Sequence, residues 1–206
     1  MPDGLGWIGR LAVGITGPRK PLLGRDFSSV VVSVGMGVKR FKPGDAVIGF
    51  PGADLGAHAE YVLMPADGKL SHKPTNLSHE GASAIPFGGT TAYDFLVNKG
   101  KLRAGVTILI NGASGATGSA CVQIAKHIGA HVTGVCSAKN TQMVRAIGPD
   151  RVIDYMTEDF SRETIKYDVT VDTVATAPWS RTKHALRPSG RMLLIAGNAS
   201  DMFFGC

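Results

Sequence analysis

A turn of small residues in the middle of the chain has the residue types that could hold a phosphate group. Ala113, Gly115 and Gly118 occupy the three positions of the dinucleotide-binding fingerprint, with alanine in place of the first glycine. At the second position the absent side chain lets the backbone approach a pyrophosphate, and at the third it lets a helix pack on its strand. The predicted pyrophosphate-binding residues are Ser114, Gly115, Ala116, Thr117 and Gly118.

The residues around the turn are patterned as one βαβ unit. Apolar runs at residues 107–110 and 131–136 predict strands, and residues 118–128 between them predict a helix that Gly129 ends. The apolar side chains of that helix recur at i, i+3, i+4 and i+7, which is typical of a helix lying on a sheet. They are Cys121, Ile124, Ala125 and Ile128. The alternative is a tight turn in another α/β protein that binds no nucleotide.

The residues after the second strand indicate which nucleotide is bound. An NAD site usually has an acidic residue about 20 positions past the glycines, whereas a 2′-phosphate needs positive charge and hydroxyl donors. Here Ser137 and Lys139 follow Cys136, and residues 136–140 include no acidic residue. NADPH is therefore favoured over NADH. The alternative for Lys139 is a solvated surface lysine.

Alternating strand and helix patterns continue to residue 196. Strands are predicted at residues 151–155, 168–173 and 191–196, and helices at 141–147, 158–165 and 179–186. Right-handed crossovers make such a series a doubly wound parallel sheet of Rossmann type, with its ligand at the carboxyl ends of the strands. Residues at or just past those ends should line the same crevice as the turn, although ordinary loop positions are the alternative. They are Tyr155, Val174, Gly197 and Asn198.

The amino-terminal part of the chain is rich in short β-patterned runs. Strands are predicted at residues 29–34, 46–50 and 58–64, with glycine and proline between them. Two short helices should follow, one capped by Ser78 and one capped by Thr90 or Thr91. The predicted organisation is therefore a small β-barrel or β-sandwich domain with its connector over residues 1–85 and a Rossmann domain over residues 86–206.

The composition excludes several classes of protein. Of the 206 residues, 44% are hydrophobic and 18% charged, and no apolar run approaches the ~20 residues that span a bilayer. Three widely spaced cysteines indicate neither a disulfide framework nor a zinc site, and they fit a cytoplasmic protein. The net charge of +6 is spread along the chain, which makes a nucleic-acid partner the weaker interpretation and a polyanionic cofactor the stronger.

Several stretches together resemble the medium-chain dehydrogenase/reductase superfamily, in its zinc-free quinone oxidoreductase (zeta-crystallin-like) branch. The resemblance covers residues 22–198 and rests on GRDFSSVVVSVG, RFKPGDAVIGF, GAHAEYV, IPFGGTTAYDFL, INGASGATGSACVQIAKHIGA and VIDY. It implies a GroES-like barrel domain beside the Rossmann domain, and an NADPH-dependent reductase of quinones or α,β-unsaturated carbonyls. It also implies that the chain begins within the barrel domain, ends just after the fifth Rossmann strand, and belongs to a family whose members commonly form homodimers.

The resemblance also implies roles for individual residues. Residues 114–118 would hold the pyrophosphate, Ser137 and Lys139 the 2′-phosphate, and Tyr155 would flank that phosphate and the adenosine. Thr91 and Gly197 would contact the nicotinamide end. Residues 24–26 read Gly-Arg-Asp where the zinc-dependent branch has Gly-His-Glu, so no metal is expected.

The sequence identifies no catalytic residue. Reduction of a quinone leaves an oxyanion that water can protonate, so no side-chain acid is required, and Tyr93 with Asp94 is read as a surface pair. Two other classes stay open: a catalytically inactive NADPH-binding or regulatory module, and an RNA-binding protein that uses the basic charge. The sequence assigns neither the particular substrate nor the oligomeric state.

Overall fold

Two structural units, divided between Phe87 and Gly88, make up the chain in the computed structural model. The structure describes residues 21–196. The predicted cofactor contacts Gly197 and Asn198 lie outside the described residues. None of the described helices is long and apolar enough to cross a membrane.

The first unit contains a small antiparallel sheet. Its strands are β1 (Phe27–Val30), β2 (Ala46–Gly49) and β3 (Leu70–His72), in the order β1-β2-β3. The turn before β2 is closed by the carboxylate of Asp45, which accepts a hydrogen bond from the Lys42 amide at 3.0 Å. Helix α1 (His79–Ser83) follows, and the Ser78 hydroxyl caps it by accepting from the Gly81 amide, as the sequence predicts.

One predicted strand of this unit is displaced along the sequence and another is wrong. The strand expected at residues 29–34 is observed at Phe27–Val30, and Val32 and Val34 are exposed. Residues 58–64 form no strand and Leu63 is fully exposed, while β3 forms later in the chain. Alternating apolar residues form a strand only where a partner strand offers its backbone groups, and none pairs with residues 58–64 in the part of the chain that the structure describes.

The second unit is built on a five-stranded parallel sheet. Its strands are β4 (Thr107–Asn111), β5 (His131–Cys136), β6 (Arg151–Asp154), β7 (Tyr167–Asp172) and β8 (Leu186–Leu194). Their spatial order is β6-β5-β4-β7-β8. The chain adds β5 and β6 on one side of β4 and then crosses to add β7 and β8 on its other side, so β4 lies at the point where the strand order reverses. This order confirms the predicted doubly wound sheet and places the switch point beside the glycine-containing turn.

The helices of this part of the chain confirm some predictions and correct others. Helix α2 (Pro86–Tyr93) begins at Pro86, rather than at Thr90 or Thr91 as predicted, and continues as a π-helical segment, Asp94–Lys99. Proline is well suited to the first position of a helix, because its missing N–H has no partner there. Helices α3 (Ala116–Ile128), α4 (Thr141–Ala146) and α5 (Trp179–Thr182) follow. The helix expected at residues 158–165 is only a 3₁₀ turn, Phe160–Arg162.

The core of the second unit lies between the sheet and α3. The buried face of α3 consists of Cys121, Val122 and Ala125, which pack in one cluster with buried residues of β4 and β7. Ile124 and Ile128 are partly buried against the same cluster, so the predicted apolar stripe is confirmed. Burying one such aliphatic side chain contributes about 1.5–3 kcal/mol, so this face fixes α3 over the end of β4.

Candidate functional site

The turn after β4 is held by backbone hydrogen bonds to the neighbouring strand. The amides of Gly112 and Ala113 both donate to the carbonyl oxygen of Val135 in β5, at 3.1 and 2.9 Å. Gly112 has a positive φ of 83°, which glycine adopts without strain, and the Gly115 amide donates back to its carbonyl at 3.0 Å. The chain therefore reverses sharply between β4 and α3, as the fingerprint predicts.

The amino end of α3 fits a pyrophosphate group. Gly115 is the residue before the first helical position and has no side chain with which to cap the helix. The amides of Ala116, Thr117 and Gly118 precede the first intrahelical bond, which runs from the Ser119 amide to the Gly115 carbonyl at 2.8 Å. Gly115 and Ala116 are exposed, and beyond its chain neighbours a Cβ atom built on Gly115 would meet the Gly112 carbonyl oxygen, at 3.5 Å. Such a helix end is suited to binding phosphate.

One asparagine connects two of the predicted cofactor-binding residues. The side-chain amide of Asn140 donates to the hydroxyl of Ser114 at 3.1 Å and to the hydroxyl of Ser137 at 3.3 Å. Ser114 belongs to the turn and Ser137 follows β5, so this amide joins the ends of adjacent strands. Lys139, on the same 3₁₀ turn as Asn140, is exposed. The sequence pattern does not predict a role for Asn140. Its position directly after Lys139 is the one feature that could have indicated that it belongs to the site.

Two other predicted residues lie at neighbouring strand ends. The amide of Tyr155 donates to the Cys136 carbonyl at 3.2 Å, which places Tyr155 beside the end of β5 with its side chain half-exposed. Val174 lies against Gly112: a Cβ atom built on that glycine would be 2.7 Å from a Val174 methyl carbon. The structure thus brings Val174 to the turn itself and Tyr155 to the β5–β6 end of the sheet.

A buried aspartate, which the sequence reasoning missed, supports the turn from β7. Asp172 is 2% exposed, and its carboxylate accepts hydrogen bonds from the Asn111 side chain and the amides of Val174 and Ala177 at 2.8–3.0 Å. These bonds fix the ends of β4 and β7 together and position Val174. The signal in the sequence was an aspartate at the end of an apolar strand pattern, because the partner that joins it to β4, Asn111, lies 61 positions away.

Thr91 lies in α2 one helical turn after Gly88, and Gly88 packs directly on the start of α3. A Cβ atom on Gly88 would be 2.9 Å from the carbonyl oxygen of Ala116 and 3.5 Å from the Thr117 amide nitrogen. Residues three apart share a helix face, so Thr91 lies on the side of α2 that approaches the turn.

The two described cysteines supply no thiolate to this site. Burial raises the pKa of the Cys121 thiol to about 12. Burial also raises the pKa of Cys136, at the end of β5. Both thiols therefore stay protonated at neutral pH and act as apolar packing groups.

The sheet order and the turn define a Rossmann-type α/β fold, and comparisons with known proteins identify its family. The family described as "Alcohol dehydrogenase GroES-like domain" matches residues 7–85, and the family described as "Zinc-binding dehydrogenase" matches residues 116–204. The chain belongs to the medium-chain dehydrogenase/reductase superfamily. This result confirms the predicted GroES-like domain and the predicted superfamily.

Individual relatives agree with that assignment. The chain is 38% identical to the Homo sapiens protein "NAD(P)H oxidoreductase RTN4IP1, mitochondrial" over 181 residues, which are 82% of this chain and 46% of the relative. It is 36% identical to "Quinone-oxidoreductase QR1, chloroplastic" of Triphysaria versicolor, covering 82% of this chain and 54% of the relative. A solved alcohol dehydrogenase superfamily protein from Novosphingobium aromaticivorans superposes with a TM-score of 0.78 at 30% identity, covering 88% and 58%. The chain thus spans about half the length of these curated relatives.

Proposed function

We propose that this chain is an NADPH-dependent oxidoreductase that transfers hydride to a quinone or an α,β-unsaturated carbonyl compound. The observation that carries the proposal is the open amino end of α3 at Gly115, with the hydroxyls of Ser114 and Ser137 beside it. The pyrophosphate would bind residues 114–118, and the 2′-phosphate would bind Ser137 and Lys139. Thr91 and Gly197 would contact the nicotinamide end, Val174 and Asn198 would line the same crevice, and Tyr155 would flank the 2′-phosphate and the adenosine.

The choice of NADPH over NADH rests on the end of β5. Residues 136–140 include a lysine and two polar side chains but no carboxylate that could accept a hydrogen bond from a ribose 2′-hydroxyl. The name of the human relative covers both nucleotides. Positive charge from Lys139 and hydroxyl donors favour a phosphate at this position.

Bound NADPH would supply the hydride, and the protein would supply binding and orientation. The free amides at the start of α3 would hold the pyrophosphate, and Val174 would provide an apolar surface against Gly112. The Triphysaria relative is named as a quinone oxidoreductase. A quinone is an electron-poor acceptor whose reduced oxygen water can protonate, so the proposal requires no side-chain acid.

We further propose that the reaction is zinc-independent. Arg25 stands where the zinc-dependent branch would have a histidine, and a guanidinium group, which is always protonated, does not ligate zinc. The carboxylate of the next residue, Asp26, accepts a hydrogen bond from the Phe87 amide at 2.6 Å. One matching family is described as zinc-binding, so zinc independence is tested by measuring turnover in the presence of a chelator.

The second candidate is a catalytically inactive NADPH-binding module, because the described residues of the site include potential cofactor contacts but none to which a catalytic role is assigned. It has the same cofactor site and differs only in turnover. A cytoplasmic location and a homodimer remain part of the proposal. Two relatives are named as mitochondrial and chloroplastic, so the location requires its own experiment.

A thermal-shift comparison of NADPH with NADH tests the cofactor assignment, because a ligand that binds only the folded state raises the melting temperature. NADPH should produce the larger shift at equal concentration. A folded protein that responds to neither nucleotide would contradict the cofactor proposal. Loss of NADPH absorbance with a panel of quinones and enones then separates enzyme from module, and a metal chelator should leave any turnover unchanged.

A further inference from the structure

We infer that Asn140 is a positioning residue that sets the preference for NADPH, by anchoring Ser137 to Ser114 of the turn so that the Ser137 hydroxyl can donate to the 2′-phosphate. This inference rests on the proposed function and deepens it, since it concerns the same site.

The hydrogen-bond chemistry of the trio supports this role. A carboxamide NH₂ group has two hydrogens and only donates, and here it donates to Ser114 at 3.1 Å and to Ser137 at 3.3 Å. Each hydroxyl oxygen therefore accepts from Asn140 and keeps its own hydrogen free to donate elsewhere. A phosphate oxygen only accepts, so the free hydroxyl hydrogen of Ser137 is suited to the 2′-phosphate and that of Ser114 to the pyrophosphate.

The position of Asn140 in the fold supports the same conclusion. Asn140 is the last residue of the 3₁₀ turn Ala138–Asn140, which runs directly into α4, and its backbone is already helical, with φ of −102° and ψ of −4°. Its side chain makes no hydrogen bond that caps α4. The side chain instead turns towards the serines at the ends of two strands. The side chain is therefore available to order two half-buried hydroxyls.

Two substitutions test the role by equilibrium binding of NADPH and NADH to the full chain. Asn140→Ala removes the shared donor, and loss of one ordered hydrogen-bonding group should weaken NADPH about tenfold while changing NADH less than about twofold. Asn140→Asp is nearly isosteric but only accepts, so both serines would donate to it, and its charge would repel the 2′-phosphate. It should weaken NADPH by roughly fiftyfold or more and leave NADH bound as well or better.

Two control variants separate this role from a general structural effect. Asn98→Ala makes the same change at an exposed asparagine of the π-helical segment, and Gln123→Glu adds a negative charge on the exposed side of α3. Both should keep the ratio of the two dissociation constants within about twofold of the original. An equal effect of each Asn140 variant on NADPH and NADH would overturn the positioning role while leaving the proposed function intact. Binding of neither nucleotide to the unaltered chain would overturn both.

Discussion

The first turn of α3 packs against the end of β4 so closely that a Cβ atom built on Gly118 would lie 2.0 Å from the carbonyl oxygen of Gly112. No real Cβ atom sits at that distance from a backbone atom, so the helix can occupy its position only because residue 118 has no side chain. The Gly112 carbonyl is also the acceptor for the Gly115 amide. One oxygen therefore determines both the shape of the turn and the placement of the helix.

Replacing Gly118 by alanine should consequently destabilise the second unit. Overpacking against backbone costs about 3 kcal/mol or more of the free energy of unfolding, because neither the strand end nor the helix can move alone. Denaturant unfolding measures the loss. Gly115→Ala is the matched control, since a Cβ atom there meets only one atom at 3.5 Å. It should cost about 1 kcal/mol while weakening NADPH and NADH together by roughly tenfold, through obstruction of the phosphates. Equal losses of stability in both variants would contradict this division of roles.

Lys139→Ala should weaken NADPH much more than NADH. The lysine is exposed beside Ser137, where an ammonium group would pair with a 2′-phosphate and has no comparable partner on NADH. Removing a charge-assisted hydrogen bond should raise the dissociation constant for NADPH about tenfold. Lys183→Ala, at another exposed lysine, serves as the control and should change neither constant. The same loss of affinity for both nucleotides would remove the 2′-phosphate role of Lys139.

Asp172→Ala should lower both stability and cofactor affinity. The substitution leaves the Asn111 side chain and the amides of Val174 and Ala177 without their buried acceptor, at a cost of about 3 kcal/mol. Displacement of Val174 from Gly112 should also weaken both nucleotides. Unfolding and binding measurements on the same samples test this, with Asp67→Ala in an exposed turn as the control. Unchanged stability would show that the carboxylate does not hold the two strand ends.

Asp159 should make stability depend on pH in the acid range. Burial alone would raise the pKa of Asp159, but hydrogen bonds from Ser161 and Arg181 outweigh burial and lower the pKa from 3.8 to about 2. A depressed pKa means that the ionised form stabilises the fold above about pH 4. This stabilisation is lost as the pH falls from about 4 through 2.

Melting temperatures of Asp159→Asn and of the unaltered chain should therefore differ at pH 7 and converge near pH 2. Other carboxylates with lowered pKa values, such as Asp150 and Asp168, contribute to both curves and cancel in the difference. As a control, Asp67→Asn should show the same pH dependence of the melting temperature as the unaltered chain. If the difference in melting temperature between Asp159→Asn and the unaltered chain were the same at every pH, the stabilisation by Asp159 would not depend on its charge.

The sequence predicted the elements whose signals are local. The helix over the phosphate turn follows from apolar residues such as Cys121 and Ala125 at helical spacing, and Gly129 ends it with a positive φ of 91°. Prediction was poorer in the first unit. The Val/Ser run at residues 29–34 does not indicate where its strand begins and ends. Pairing with β2 determines that the strand is Phe27–Val30. The alternating run at residues 58–64 had the pattern of a strand but no described partner.

The candidate site divides in the same way. Ser114, Ser137 and Lys139 could be named because a fixed spacing places them at strand ends, which is a property of the βαβ unit itself. Asn140 and Asp172 could not be assigned a role, because each bonds to a side chain on another element that only the folded chain brings near. The amide of Asn140 reaches a hydroxyl 26 positions away, and Asp172 accepts from a side chain 61 positions away.

By itself the sequence determined the order of strands and helices in the second unit, the glycines that the turn requires, and the lack of an acidic residue after β5. These depend on the geometry of one or two neighbouring elements, which residue spacing encodes directly. The tertiary structure alone decided which strands of the first unit pair, how Asp172 joins β4 to β7, and that the Asn140 side chain donates to both Ser114 and Ser137. Those outcomes depend on hydrogen bonds between segments distant in sequence. Such bonds depend on where folding places the two segments, which local residue spacing does not encode.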